Sequence, residues 1–157
     1  MNPQDAQVIV ELNRILKNEL TAINQYFLHS RMLKNFGFNR LAEYEHSESI
    51  DEMKHADDLV ERIILLDGLP NMQDLGKLRI GEDPVDMLKC DLALEEAAIP
   101  DLRQAIAFCE TVSDYVSREI LERILESEEN HVDWLETQLD LVDRIGVNNY
   151  LEQQMHA

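Results

Sequence analysis

The sequence predicts an all-α fold: a four-helix bundle with a long connection between the second and third helices and a short fifth helix at the C-terminus. Three observations carry this. Apolar residues recur at helical spacing over four long segments. Glycine and proline gather at the joints between those segments, at Gly37, across Gly68, Pro70, Gly76, Gly81 and Pro84, and at Gly146. Two Glu-x-x-His runs, Glu52-Met53-Lys54-His55 and Glu128-Glu129-Asn130-His131, fall inside the segments, and a lone glutamate, Glu19 or Glu95, precedes each by 33 positions. The two halves repeat at an offset of 76. One Glu from each of two helices and a Glu-x-x-His from each of the other two is the established ligand pattern of dinuclear metal sites in helical bundles.

The spacing predicts helix α1 over 5–35, α2 over 39–66, α3 over 84–111, α4 over 114–145 and α5 over 147–155. The turn Asn35-Phe36-Gly37-Phe38-Asn39 is short, so α1 and α2 are antiparallel neighbours, as are α3 and α4. The connection from Asp67 to Asp83 is different. Its 17 residues reach up to roughly 55 Å when extended, whereas a helix of 27 residues is roughly 40 Å long. It therefore crosses the whole bundle and makes α2 and α3 parallel, which the matched ligand spacing requires. Asp83-Pro84 reads as a helix cap followed by proline in the first turn, and Ser113-Asp114 as the start of α4. Pro100 is the misfit inside α3, where it predicts a kink or a local widening. At 157 residues the chain is read as one domain, 1–157.

The glutamates lie on the inward stripes. In α1 the stripe reads Leu12, Leu16, Glu19, Ile23, Tyr26, and in α3 Leu88, Leu92, Glu95, Ile99, Leu102. In α4 it reads Leu121, Ile124, Glu128, His131, Leu135, Leu139, and in α2 Leu41, Glu48, Glu52, His55, Leu59, Ile63, Leu66. Four carboxylates at one depth of a core repel one another and resist burial. Two divalent cations cancel them, and neutral imidazole completes the coordination. A ligand set of carboxylate and imidazole without thiolate suits iron or manganese, and it admits zinc without specifying it. Tyr26, one heptad beyond Glu19, falls close to the same layer.

The chain carries 32 acidic and 14 basic residues, a net charge of −18. Nucleic acid or an anionic membrane repels such a surface, and cations are drawn to it. The N-terminus has no basic flank before an apolar run, and no stretch is apolar enough to span a membrane, so a reducing cytoplasm is expected. Cys90 and Cys109 are too few for a disulfide framework and read as small buried hydrophobes. No nucleotide fingerprint, phosphate loop or Ser-His-Asp pattern is present.

Longer segments add a resemblance. Asn18-Glu19-Leu20, Asn24-Gln25-Tyr26-Phe27-Leu28-His29 and Glu48-Ser49-Ile50-Asp51-Glu52-Met53-Lys54-His55-Ala56-Asp57 are similar to the bacterioferritins, the haem-containing members of the ferritin superfamily. So are Gly68-Leu69-Pro70-Asn71, Asp74-Leu75-Gly76-Lys77-Leu78, Asp114-Tyr115-Val116-Ser117-Arg118 and the Asp133-Trp134-Leu135-Glu136 that follows His131. The resemblance implies a ferritin-like domain with a ferroxidase centre, with Glu19 and His55 on one iron, Glu95 and His131 on the other, and Glu52 and Glu128 bridging. It implies that Met53 supplies an axial ligand to a haem b shared by two subunits, and that Tyr26 donates an electron or a hydrogen bond. It implies a 24-subunit shell built from dimers, with room for a second subunit type, that stores ferric mineral and is emptied by electrons from a small ferredoxin. Oxidation would use dioxygen or hydrogen peroxide. Relatives with an inner-surface iron site carry a histidine four residues before the aspartate matching Asp51. Here that place is Ser47, with His46 one position earlier, so His46 and Asp51 are at most auxiliary ligands. A di-iron peroxidase usually adds a paired Cys-x-x-Cys module, and this chain has none.

Overall fold

The computed structural model describes residues 1–156. Its elements are α1 (Ala6–Phe36), α2 (Asn39–Leu65), α3 (Pro84–Thr111), α4 (Tyr115–Ile145) and α5 (Val147–Glu152), with no strand among the described residues. The side chains of Asp5, Asp83 and Asp114 accept hydrogen bonds from the backbone N–H of Gln7, Asp86 and Ser117 and so cap α1, α3 and α4. Gly37 closes α1 at φ +92°, a left-handed conformation that glycine adopts without a Cβ clash. α3 continues unbroken through Pro100, which lies exposed, so the proline does not divide the helix. α5 ends at Glu152, earlier than its sequence pattern suggested.

α1 packs on α2 and α3, and α4 packs on α3 and α2. The connection between α2 and α3 is hydrogen-bonded up the side of α1. Asn13 bonds the Leu69 carbonyl and the Asn71 N–H, the Thr21 hydroxyl accepts from Gly76 N–H, Gln25 Oε1 from Arg79 N–H, and His29 Nε2 from Gly81 N–H. These partners advance along α1 from residue 13 to 29, about 24 Å of helix. The connection therefore starts at the end where α2 stops and delivers the chain to the opposite end, leaving α3 parallel to α2.

The apolar core is in two parts. One gathers Val8, Leu12, Ile15, Leu16, Leu59, Ile63, Leu102, Ala105, Leu121 and Ile124. The other gathers Leu33, Leu41, Met87, Leu88, Leu135, Val142 and Tyr150. Between them lies a layer of buried polar residues. Cys109 is fully buried in the first core, as expected, whereas Cys90 is only partly buried, and both are free thiols.

Arg62 of α2 is buried and bonds Asp114 at 2.9 Å and the Ser117 hydroxyl at 2.9 Å, which ties α2 to the start of α4. Removing one partner of a buried pair strands the other. Arg62→Ala is expected to lower unfolding free energy by about 3–5 kcal/mol, read by chemical denaturation; a change under about 1 kcal/mol, the ordinary worth of a surface pair, contradicts this assignment.

Candidate metal centre

Glu19, Glu52, Glu95, Glu128 and His131 are buried at mid-helix, between the two apolar clusters, and the His55 side chain is 15% exposed. His55 Nδ1 lies 3.5 Å from an oxygen of each of Glu19, Glu52 and Glu128. Ligand atoms bonded to one metal at about 2.1 Å stand roughly 3–3.5 Å from each other, so these three equal distances match the spacing that ligands of one ion would have. His131 Nδ1 lies 3.6 Å from Glu95. Donor atoms of Glu19, Glu52, His55 and Glu128 fall within 4.8 Å of one another, and so do those of Glu95, Glu128 and His131. Glu128 belongs to both groups. Glu52, expected to bridge as well, is grouped with the first.

The donor set fits cations on a second ground. Glu19 Oε2, Glu52 Oε2, both Glu128 oxygens, His55 Nδ1 and His131 Nε2 are buried without a hydrogen-bond partner among the described residues. Folded proteins rarely leave so many buried polar atoms unpaired unless a ligand takes them up. Burial raises the carboxyls of Glu19, Glu95 and Glu128, and the neighbouring carboxylate of Glu128 pushes Glu95 further. Burial opposes charge on His55 and His131, but the carboxylates of Glu128 and Glu19 beside it raise His55 to about 10, and the Glu95 carboxylate raises His131.

Tyr26 is fully buried and its phenol donates to Glu95 Oε1, with His131 Nδ1 at 3.3 Å. Burial and the Glu95 charge hold the phenol well above its ordinary value. It is a hydrogen-bond donor to a candidate ligand.

Two neighbours were given no role by the sequence. Glu48 Oε2 lies 3.7 Å from His131 Nδ1; its position one turn before Glu52 was the available signal. Tyr44 stacks on Trp134 with ring centroids 3.4 Å apart, and its centroid is 5.8 Å from that of His131.

A cavity of about 180 Å³ reaches Glu19, Glu52, Glu95 and Glu128. Asn18 and Asp101 line it from the helices, and Gly76, Lys77 and Arg79 line it from the connection that runs along α1. That connection therefore forms one wall of the approach to the carboxylates.

The other singled-out residues lie elsewhere. Met53 is 49% exposed on the outer side of α2. Phe27 of α1 is also half exposed. Asp51 is partly exposed beside Lys54 at 3.9 Å. His46 is exposed and lines a groove with Ser30, Arg31, Lys34 and Glu43. Five residues turn a helix by roughly 140° beyond one full circle, so His46 and Asp51 do not share a face and form no pair.

A family profile described as the ferritin-like domain matches residues 9–145. The chain is 48% identical over 149 residues to bacterioferritin BfrA of Mycobacterium tuberculosis, covering 95% of this chain and 94% of that one. It is 47% identical over 146 residues to bacterioferritin of Rhodobacter capsulatus, covering 93% and 91%. It is 47% identical over 147 residues to bacterioferritin of Streptomyces coelicolor, covering 94% and 88%. No helix among the described residues is long and apolar enough to cross a membrane.

Proposed function

Because the chain belongs to the bacterioferritin family, we propose that it is an iron-storage ferroxidase, oxidising Fe(II) to Fe(III) at a dinuclear centre within each subunit. The observation that supports this best is the ring of buried donors without partners, with His55 Nδ1 at 3.5 Å from three carboxylates. Fe(II) enters as substrate along the cavity that reaches these carboxylates. Glu19 and His55 hold one ion, Glu95 and His131 the other, and Glu128 and Glu52 lie between them. Four carboxylates stabilise the higher charge of Fe(III) more than that of Fe(II), so the site favours the oxidised pair. Each Fe(II) gives one electron to dioxygen or hydrogen peroxide. Tyr26 fixes the orientation of Glu95 through its phenol, the supporting shell that such sites depend on.

The product is stored inside a 24-subunit shell built from dimers, in the cytoplasm, with the whole of 1–157 acting as one domain. Met53 fits a haem ligand: the residue is half exposed, and its thioether together with that of a second subunit would hold the haem iron. Haem b supplies an electron path for reductive release, with a small ferredoxin as the donor.

Aerobic addition of Fe(II) tests the reading. Many more irons than two per chain should be oxidised and retained, and retention is read from co-migration of iron with protein on size exclusion. Binding without turnover would end the proposal. The sign of the pH dependence follows from the raised groups. Metal must displace protons from Glu19, Glu95, Glu128 and His55, so affinity falls as pH falls, about tenfold per pH unit for each proton displaced.

A further inference from the structure

A second buried polar cluster lies beside the metal centre. His29 of α1, Glu45 of α2 and Asp91 of α3 are fully buried, with one donor atom of each within 4.8 Å of the others. Asp91 precedes Glu95 by one helical turn, and Glu45 precedes Glu52 by two.

The state of the imidazole follows from its partners. Gly81 N–H donates to His29 Nε2 at 3.0 Å, so Nε2 presents a lone pair and carries no proton. Nδ1 then holds the ring proton and donates to Asp91 Oδ1 at 2.9 Å. Gln25 Nε2 donates to the same oxygen at 2.9 Å. Position 81 admits only glycine in this close approach, since a Cβ there would meet the Met87 nitrogen at 2.4 Å. With both nitrogens engaged, His29 has no lone pair left for a cation, so the cluster is not a further histidine-bearing metal site.

What remains unpartnered is Asp91 Oδ2 and both oxygens of Glu45, all buried. Asp91 already accepts hydrogen bonds from Gln25 and His29 at Oδ1, which leaves Oδ2 to act as a further acceptor. Glu45 receives no donor at all. Two bare carboxylates at this depth are strongly disfavoured, and a single proton between them satisfies both.

We propose that Glu45 and Asp91 share one proton, with Glu45 the neutral acid donating to Asp91 Oδ2, and that this pair is the proton store of the neighbouring dinuclear centre. Glu45 keeps its proton when divalent ions fill the centre and releases it when oxidation raises the charge there. In the release the Glu45 O–H bond breaks, its electron pair stays on the carboxylate and the proton passes to water. The electrons of the oxidation pass from Fe(II) to the oxidant named above. Burial, then Asp91, Glu48 and Glu95, push the Glu45 carboxyl well upward. The groups around it are His29 of α1, Asp91 and Glu95 of α3, Tyr44 and Glu48 of its own helix, and Tyr150 of α5. The basic groups nearby are His131 of α4, which acts on Asp91 and Glu48, and Arg40 of α2, which acts on Tyr150; the others are neutral or anionic, and the further positive charge that drives release comes with metal. The inference rests on the dinuclear reading.

Glu45→Gln tests it, because the amide still donates to Asp91 Oδ2 but has no dissociable proton. Zinc-loaded wild type should show the infrared carbonyl stretch of a protonated carboxylic acid, and zinc-loaded Glu45→Gln should lack that band. In the iron-loaded wild type the band should bleach on oxidation. Native Glu45 binds its proton more tightly than the unfolded chain does, so wild-type stability falls as pH rises above the unfolded carboxyl value. The melting temperature of Glu45→Gln should therefore gain on wild type with rising pH. A missing band, a band that survives the substitution or the oxidation, or a third metal ion lost in Glu45→Gln would overturn the proposal. Fewer than two zinc ions per chain would instead overturn the dinuclear reading, and the band and the melting curves would still decide the shared proton.

Discussion

Glu128→Ala should slow Fe(II) oxidation by about a hundredfold or more, since changes even to groups that merely support a metal ligand reach that size. Glu128 is the one residue common to both donor groups, so its loss removes a ligand from each. Stopped-flow absorbance after mixing with Fe(II) and air reads the rate. The fold should survive. Both Glu128 oxygens lack hydrogen-bond partners among the described residues, and its charge adds to the burden on Glu95. Taking away one of four buried carboxyls eases their mutual repulsion, so the melting temperature of the metal-free variant should hold or rise. Zinc binding should weaken in the same variant. The adjacent Glu129, exposed and paired with Arg103 at 3.3 Å, is the control, and Glu129→Ala should oxidise at the wild-type rate. A Glu128→Ala protein with wild-type kinetics would remove Glu128 from the centre.

Met53→Leu should lose haem almost completely while oxidising Fe(II) normally. Leucine has nearly the volume of methionine but no sulfur to ligate iron. Met53 is half exposed, and a surface substitution of this kind changes stability by no more than about 0.5 kcal/mol. The loss of the Soret band, measured beside an unchanged assembly mass, checks the assignment. Retained haem would place the axial ligand elsewhere. The two variants together separate the functions: Glu128→Ala should keep its haem, and Met53→Leu should keep its ferroxidase.

The internal repeat explains what the sequence disclosed. Glu19, Glu52 and His55 reappear 76 positions on as Glu95, Glu128 and His131, each inside an apolar stripe, and that double coincidence singles them out. The direction of the connection along α1 was also legible, because its length can be weighed against the length of a helix. The same repeat is silent elsewhere. Shifted by 76, His29, Glu45, Glu48 and Tyr26 fall on Ala105, Leu121, Ile124 and Leu102, and Asp91 falls on Ile15, all of them residues of the first apolar core. A lone polar residue on a stripe, without a matching copy, gives no sign of which partner it will meet. The Tyr44–Trp134 stack joins α2 to α4 and needs three-dimensional placement to be seen. Pro100 is a related case: the pattern shows that a backbone bond is lost, but not that the residue lies on the exposed side of a helix that continues past it.

The division of the apolar interior into two clusters gives the bundle a waist. Oil-like cohesion grips each end, while the central storey has little greasy contact of its own and is crowded with like charge. The middle turns of the helices, ordinarily the last to loosen, become the part whose tightness depends on what is bound. Ions bound there would act as the missing girdle, and the bundle should be stiffest with them in place.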